Sequence, residues 1–231
     1  MTTGEVSRGN GSRTRRTTLN CINYDMSWNM AYSYQEHAAP VLPKGTIVVA
    51  VVDPGVGSMR QALCVQTKHG FLIAPNNGIL SMVLAEEKGF EARSIVNERY
   101  FHKPVSSTFH GRDIFAPAAA WLSRGNIFRS FGPLVRHIHT LHIPKARRRQ
   151  NRIEGKIVYI DRFGNAMTNI GFKDLPAAGK IQVIAKGNKS ILIEPFFSAG
   201  KEGALIAVWN SGNRLELAVK NDSAEKRYGL K

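Results

Sequence analysis

Ile47-Val-Val-Ala-Val-Val52 runs without a polar residue into Asp53-Pro54-Gly55-Val56-Gly57-Ser58-Met59-Arg60. A short Val/Ile run closed by turn residues reads as a strand buried on both faces, the habit of strands in a parallel α/β sheet. Ligands of such sheets bind beyond the carboxyl ends of the strands, where Asp53 would stand. Pro54 presets one backbone angle, and Gly55 and Gly57 permit positive φ, so the loop can fold tightly over that edge. Asp53 and Arg60 can then face each other across a pocket. Taken alone, the same residues equally describe a capped turn with a surface ion pair.

Further along, Ser106-Ser-Thr-Phe-His110-Gly111-Arg112-Asp113-Ile-Phe-Ala-Pro117 sets a His, an Arg and an Asp directly before an expected helix. Helix N-termini favour anions and offer free N–H groups, and Gly111 allows close backbone approach to a ligand. Arg112 and Asp113 read as a structural pair that caps the helix. His110 is open between a structural imidazole and a group that orients water or transfers protons near neutral pH. A third stretch, Gly155-Lys-Ile-Val-Tyr-Ile160-Asp161-Arg162-Phe163-Gly164-Asn165, again ends a strand in an acid. Phe163 can stack on a flat ring while Asn165 offers a donor and an acceptor, as a purine edge requires. An ordinary Asp/Asn turn is the alternative.

Together with Ala74-Pro-Asn-Asn-Gly78-Ile-Leu80, these stretches resemble the S-adenosylmethionine hydroxide adenosyltransferases. Members are S-adenosylmethionine hydrolases that form adenosine, related to fluorinases and chlorinases. The resemblance runs in order from about Tyr24 to the C-terminus. It implies an α/β chain with a Rossmann-like N-terminal domain, a C-terminal β-barrel-like domain, and a homotrimer with active sites between subunits. It assigns the handling of the attacking water to Asp53, Arg60 and His110. Gly111 stands where halogenating relatives carry a serine against the halide. Those relatives also have tyrosines at the positions of Asp53 and His110, so water is the expected nucleophile here. For the substrate, the resemblance places Asp161 at the methionine amino group and Phe163 and Asn165 at the adenine. Ser211 falls at the methionine carboxylate, followed by Gly212 where some relatives have Arg, and Tyr24 beside the ribose.

In one place the resemblance fails. Relatives begin with a strand ending in Thr-Asp-Phe-Gly, whose aspartate holds the ribose diol, and this chain shows no such motif. It therefore reads as a member lacking the first βαβ portion, with bare strand edges and impaired activity as expected consequences. The competing functional readings are an impaired member that retains adenosine-type binding and a halide-using adenosyltransferase.

Composition narrows the alternatives. Among 231 residues, 43% hydrophobic, no stretch approaches the roughly 20 apolar residues of a membrane span. Cys21 and Cys64 give no disulfide framework, and neither they nor the histidines have metal-ligand spacing, so no zinc is expected. The resemblance implies no cofactor either, because the sulfonium of S-adenosylmethionine is already a strong leaving group. The net charge of +15 is concentrated: residues 1–18 carry +3 and residues 145–152 carry +5. Without interleaved aromatics, these read as a solvated tail and linker rather than a nucleic-acid site. The expected organisation is a disordered basic tail over 1–18, an α/β domain over 19–144, a basic linker over 145–152, and an all-β domain over 153–231. Helices are expected over about 24–40, 79–87 and 114–122. The tail resembles a transit peptide in its Arg, Ser and Thr content but lacks apolar residues for an amphipathic face, so a cytoplasmic protein is expected.

Overall fold

The computed structural model describes residues 17–20, 42–125, 127–142, 144–150, 152–176, 181–185 and 189–231. The chain forms two compact units, divided between Leu141 and His142. In the first, a five-stranded sheet has the order β1-β2-β4-β3-β5. Its strands are β1 (Thr17–Asn20), β2 (Thr46–Ala50), β3 (Ala62–Gln66), β4 (Gly70–Pro75) and β5 (Glu91–Ser94). β1, β2 and β4 are mutually parallel, while β3 runs antiparallel to both β4 and β5.

Burial follows the two-residue period of a strand. Ile47, Val49, Cys64 and Ile73 enter one core with Ile114, Phe115, Ala118 and Leu122. Val48, Leu63, Val65 and Leu72 enter a second core with Ile79, Leu80, Val83 and Leu84. Helix α1 (Ser81–Glu86) thus covers one face of the sheet and helix α2 (Ala116–Arg124) the other. The hydrophobic run 47–52 is the central consequence of this sandwich: a strand between two helical layers needs apolar side chains on both sides. Each fully buried Ile or Val there contributes about 1.5–3 kcal/mol.

Several expectations need correction. The tail expected over 1–18 ends inside β1, which pairs in parallel register with β2, Thr17 opposite Ile47 and Asn20 opposite Ala50. β2 therefore has a partner on each side, β1 and β4. Residues 1–16, the helix expected over 24–40, Tyr24 and Cys21 lie outside the described residues. The 79–87 helix is shortened to α1, because Asn77 and Ser81 hold the preceding turn through bonds to Ile79 N–H and the Gly78 carbonyl.

The second unit holds a six-stranded sheet, strongly curled into a half-barrel, of order β10-β11-β12-β13-β9-β8. The strands are β8 (Ile157–Ile160), β9 (Ala166–Gly171), β10 (Val183–Ala185), β11 (Lys189–Glu194), β12 (Leu205–Trp209) and β13 (Arg214–Val219). Its core joins Ala166, Ile191, Leu215, Leu217 and Val219 to Ala224 and Leu230. Ala224 belongs to the short helix α3 (Ala224–Tyr228), which the all-β expectation missed. The basic linker is likewise corrected. Arg147–Arg149 (β6) and Arg152–Glu154 (β7) pair as an antiparallel ribbon, with Arg149 and Arg152 both turned to Glu154 at 3.5 and 3.0 Å.

Candidate active site

In the first unit, β2 ends at Ala50 and the chain continues through Val51 and Val52 to Asp53. The Asn77 side chain fixes this exit by donating to the Val52 carbonyl at 2.8 Å. Loop 53–60 is then closed by Val56 N–H to the Asp53 carbonyl, Ser58 N–H to the Gly55 carbonyl, and Arg60 N–H to Ser58 Oγ. Gly57 adopts φ +79°, and a Cβ there would stand 2.4 Å from the Ser107 carbonyl oxygen. Glycine at 57 thus lets the loop lie directly on the 106–110 backbone.

The loop returns Arg60 onto Asp53. Arg60 Nε donates to Asp53 Oδ1 at 2.9 Å, and a terminal nitrogen donates to Oδ2. The pair is largely shielded, with side-chain exposures of 10% and 6%. Beneath it, the Phe115 ring lies 5.2 Å from the guanidinium carbon. The same terminal nitrogen reaches His110 Nδ1 at 2.7 Å. A guanidinium has no lone pair to offer, so Nδ1 must be the acceptor, which assigns a neutral imidazole with its proton on Nε2. Burial, then the adjacent Arg60 charge, hold the His110 pKa below the ordinary imidazole value, against opposing pulls from Asp53 and Asp113. The three residues singled out from sequence therefore form one contiguous hydrogen-bonded unit.

His110 owes its place to a widened turn. Residues Gly111–Phe115 form a π-helical turn, with Ala116 N–H bonded to the Gly111 carbonyl, before α2 begins. Such single turns recur at functional sites. Here the extra residue lets His110 meet Arg60 while Asp113, Ile114 and Phe115 turn into the interior. Gly111 leaves ordinary space: a Cβ would meet only Val51 and Phe109 side-chain atoms, at 3.8 and 3.9 Å.

In the second unit, Asp161 closes the β8–β9 turn. Its Oδ1 accepts from Phe163 N–H at 2.8 Å and Asn165 N–H at 2.9 Å, and its Oδ2 accepts from Asn165 Nδ2 at 3.0 Å. Asp161 thereby organises the turn that presents Phe163, which remains 64% exposed. Gly164, at φ +84°, fits only because it lacks a Cβ that would strike Ser223 at the start of α3. Phe163 and Asn165 share a cavity of about 440 Å³ with Phe197, Ser198 and residues 219–223. That volume suits a small planar ligand. A larger cavity of about 1270 Å³, lined in part by Arg148, Ile153, Ile184 and Trp209, contains none of the site residues expected from sequence.

Ser211 is not part of the Asp161 turn. It lies in the β12–β13 turn, and the strand register sets that turn beside Gly171, at the far end of β9 from Asn165. Glu216 stands between the two turns. It accepts from Asn210 Nδ2 at 3.0 Å, and its pKa is raised by burial, opposed by Asn210 and reinforced by the Asp161 charge. Asn77, Phe115, Phe197 and Glu216 escaped the sequence reading. Only Asn77 carried a signal there, in the Asn76-Asn77-Gly78 turn.

These features and the sequence together place the chain in the SAM hydroxide adenosyltransferase family: residues 25–132 match its N-terminal domain and residues 155–231 its C-terminal domain. Over 208 residues the chain is 35% identical to the (R)-S-adenosyl-L-methionine hydrolase of Thermus thermophilus, spanning 87% of this chain and 78% of that protein. A fluorinase from an Actinoplanes species is 25% identical, over 82% of this chain and 75% of its own length. The crystal structure of an uncharacterized conserved protein from Thermotoga maritima superposes with a TM-score of 0.72 at 31% identity, covering 87% of this chain and 80% of that one.

Proposed function

We propose that the protein hydrolyses S-adenosyl-L-methionine to adenosine and L-methionine. Water or hydroxide attacks ribose C5′ in line with sulfur, the C5′–S bond breaks, and its electron pair leaves with methionine as a neutral thioether. The sulfonium is already a good leaving group, so the site need only position the nucleophile and exclude bulk water. The chemistry calls for no metal or cofactor. The observation that carries this reading is Arg60 bridging the Asp53 carboxylate and the Nδ1 of a neutral His110.

Each group has a separate task. The guanidinium stabilises negative charge developing on the attacking oxygen. His110, with its Nδ1 lone pair engaged, offers Nε2–H to orient that oxygen. Asp53 keeps unshared lone pairs and accepts the water's proton. Phe163 and Asn165 take the adenine, Asp161 the methionine amino group, Gly111 the close approach to the reacting carbon, and Tyr24 the ribose, whereas Ser211, set at the far end of β9 from the Asp161 turn, takes no part in this reading. Met59 and Phe109, 98% and 56% exposed in the first unit, are apolar surface that association would cover. Association is therefore expected, the family resemblance makes it a homotrimer with intersubunit sites, and we place the protein in the cytoplasm.

Calorimetry with S-adenosyl-L-methionine and adenosine, followed by product chromatography with and without chloride or fluoride, tests the reading. Adenosine and methionine should form independently of halide. A halogenated nucleoside would favour the halide reading, and ligand binding without turnover an impaired binder. Sedimentation analysis tests the trimer.

A further inference from the structure

We infer that Asp113 is a positioning residue that fixes the floor on which both His110 and the Asp53–Arg60 loop rest; this builds on the hydrolase reading. Asp113 is fully buried, yet it touches none of Asp53, Arg60 or His110 through a hydrogen bond in the described residues. Its partners belong instead to the chain leading into the site. Oδ2 accepts from Ser106 N–H at 2.8 Å and Oδ1 from Arg112 Nε at 2.7 Å, with a second guanidinium bond to Oδ2 at 3.1 Å. His102 Nδ1 lies 3.4 Å from Oδ1, and His102 N–H donates to the Asp113 carbonyl at 2.8 Å. One residue thus holds both ends of the 102–106 segment.

The consequence follows from what that segment supports. Ser106 Oγ accepts Thr108 N–H at 3.2 Å, which shapes the step into Phe109 and His110. Ser107 presents the carbonyl against which Gly57 packs. The Ser106 anchor therefore sets two placements at once: the imidazole at the head of the π-helical turn and the loop that carries Arg60. These segments are fifty residues apart in sequence, and their alignment determines the 2.7 Å contact of Arg60 with His110 Nδ1. Arg112, next to Asp113 in sequence, faces Asp113 and the Phe109 ring at 5.1 Å, so it anchors the floor and takes no part in the triad.

Asp113→Asn separates this role from simple packing. An amide can keep an acceptor for Ser106 or for Arg112, but its NH₂ then confronts the other donor, so one anchor fails in either orientation. In the full-length protein, kcat should fall roughly 10- to 100-fold, as expected for a small misplacement, with KM for S-adenosyl-L-methionine held within about threefold. ¹⁵N-histidine spectra should show His110 as a single Nε2–H tautomer in the wild type and as a tautomer mixture in the variant. Should Asp113→Asn not fold, Arg112→Gln, at an exposed side chain, should give the same changes at smaller size. A folded variant with one tautomer and unchanged kcat overturns the inference. The spectra need no turnover, so they decide positioning even if the wild type proves not to be a hydrolase.

Discussion

Replacing Arg60 by Met keeps most of the side-chain volume and removes the charge shared by Asp53 and His110. Three hydrogen bonds disappear, two to the carboxylate and one to Nδ1. Because the ion pair is only 10% and 6% exposed, water replaces them poorly. Removing one partner of such a buried pair costs about 3–5 kcal/mol, because the remaining charge is left uncompensated. For a chain of this size each kcal/mol lowers the melting midpoint by about 2–4 °C, which gives a drop of roughly 6–20 °C. Adding Asp53→Asn to Arg60→Met should recover at least half of that loss, since the orphaned carboxylate is then gone. Differential scanning calorimetry of the two single variants and the double variant supplies the comparison. Additive losses, or an Arg60→Met midpoint within about 1 °C of wild type, would refute the coupled-triad geometry.

Other substitutions test separate parts of the site. His110→Ala should lower kcat by roughly 10²–10⁴-fold with little change in KM, as stopped assays of adenosine formation would reveal. The pH dependence of folding follows from the lowered His110 pKa. Below the ordinary imidazole value of about 6.5 the unfolded chain binds a proton that the folded chain resists, so this contribution is complete above that pH and lost as pH falls toward the folded pKa. Denaturant titrations should show the slope, and His110→Gln should flatten it. Gly57→Ala should destabilise the loop, because it combines φ +79° with a 2.4 Å clash, whereas Gly111→Ala meets only ordinary contacts and should fold normally; melting curves of the pair would show the contrast. Phe163→Ala should leave stability unchanged and weaken adenosine binding by about 1–3 kcal/mol, the usual worth of a base–aromatic stack, measured by calorimetry.

Some of this was legible from residue order alone. The period-2 burial of 47–49 and 71–74, the glycine-permitted loop after β2, and the Asp161–Asn165 turn are local, since each is dictated by side-chain alternation or by one to four residues of hydrogen bonding. β1, the Arg147–Glu154 ribbon and helix α3 were not. Thr17–Asn20 and Arg147–Arg149 carry no strand-like apolar pattern, and they form strands because a neighbouring backbone offers partners. The second partner of Asp113 was also hidden: sequence paired it with Arg112, as the structure does, while its bond to Ser106 depends on how the 102–106 segment returns to the turn.

By itself the sequence determined that the chain folds around a two-sided strand, and that Asp53 and Arg60 sit on one tight loop beyond it. Residue order alone left open whether Arg60 meets His110, which only the family resemblance implied. Asp53 and Arg60 are seven residues apart and can be joined by loop closure alone. Bringing in His110 requires β2 to pack through Val49 against Ala118 of α2 and against Ile114 and Phe115 of the π-helical turn before it, and that turn to set the imidazole's height. Contacts across fifty residues arise from burying apolar surface between layers, and that balance exists only once the tertiary core has formed.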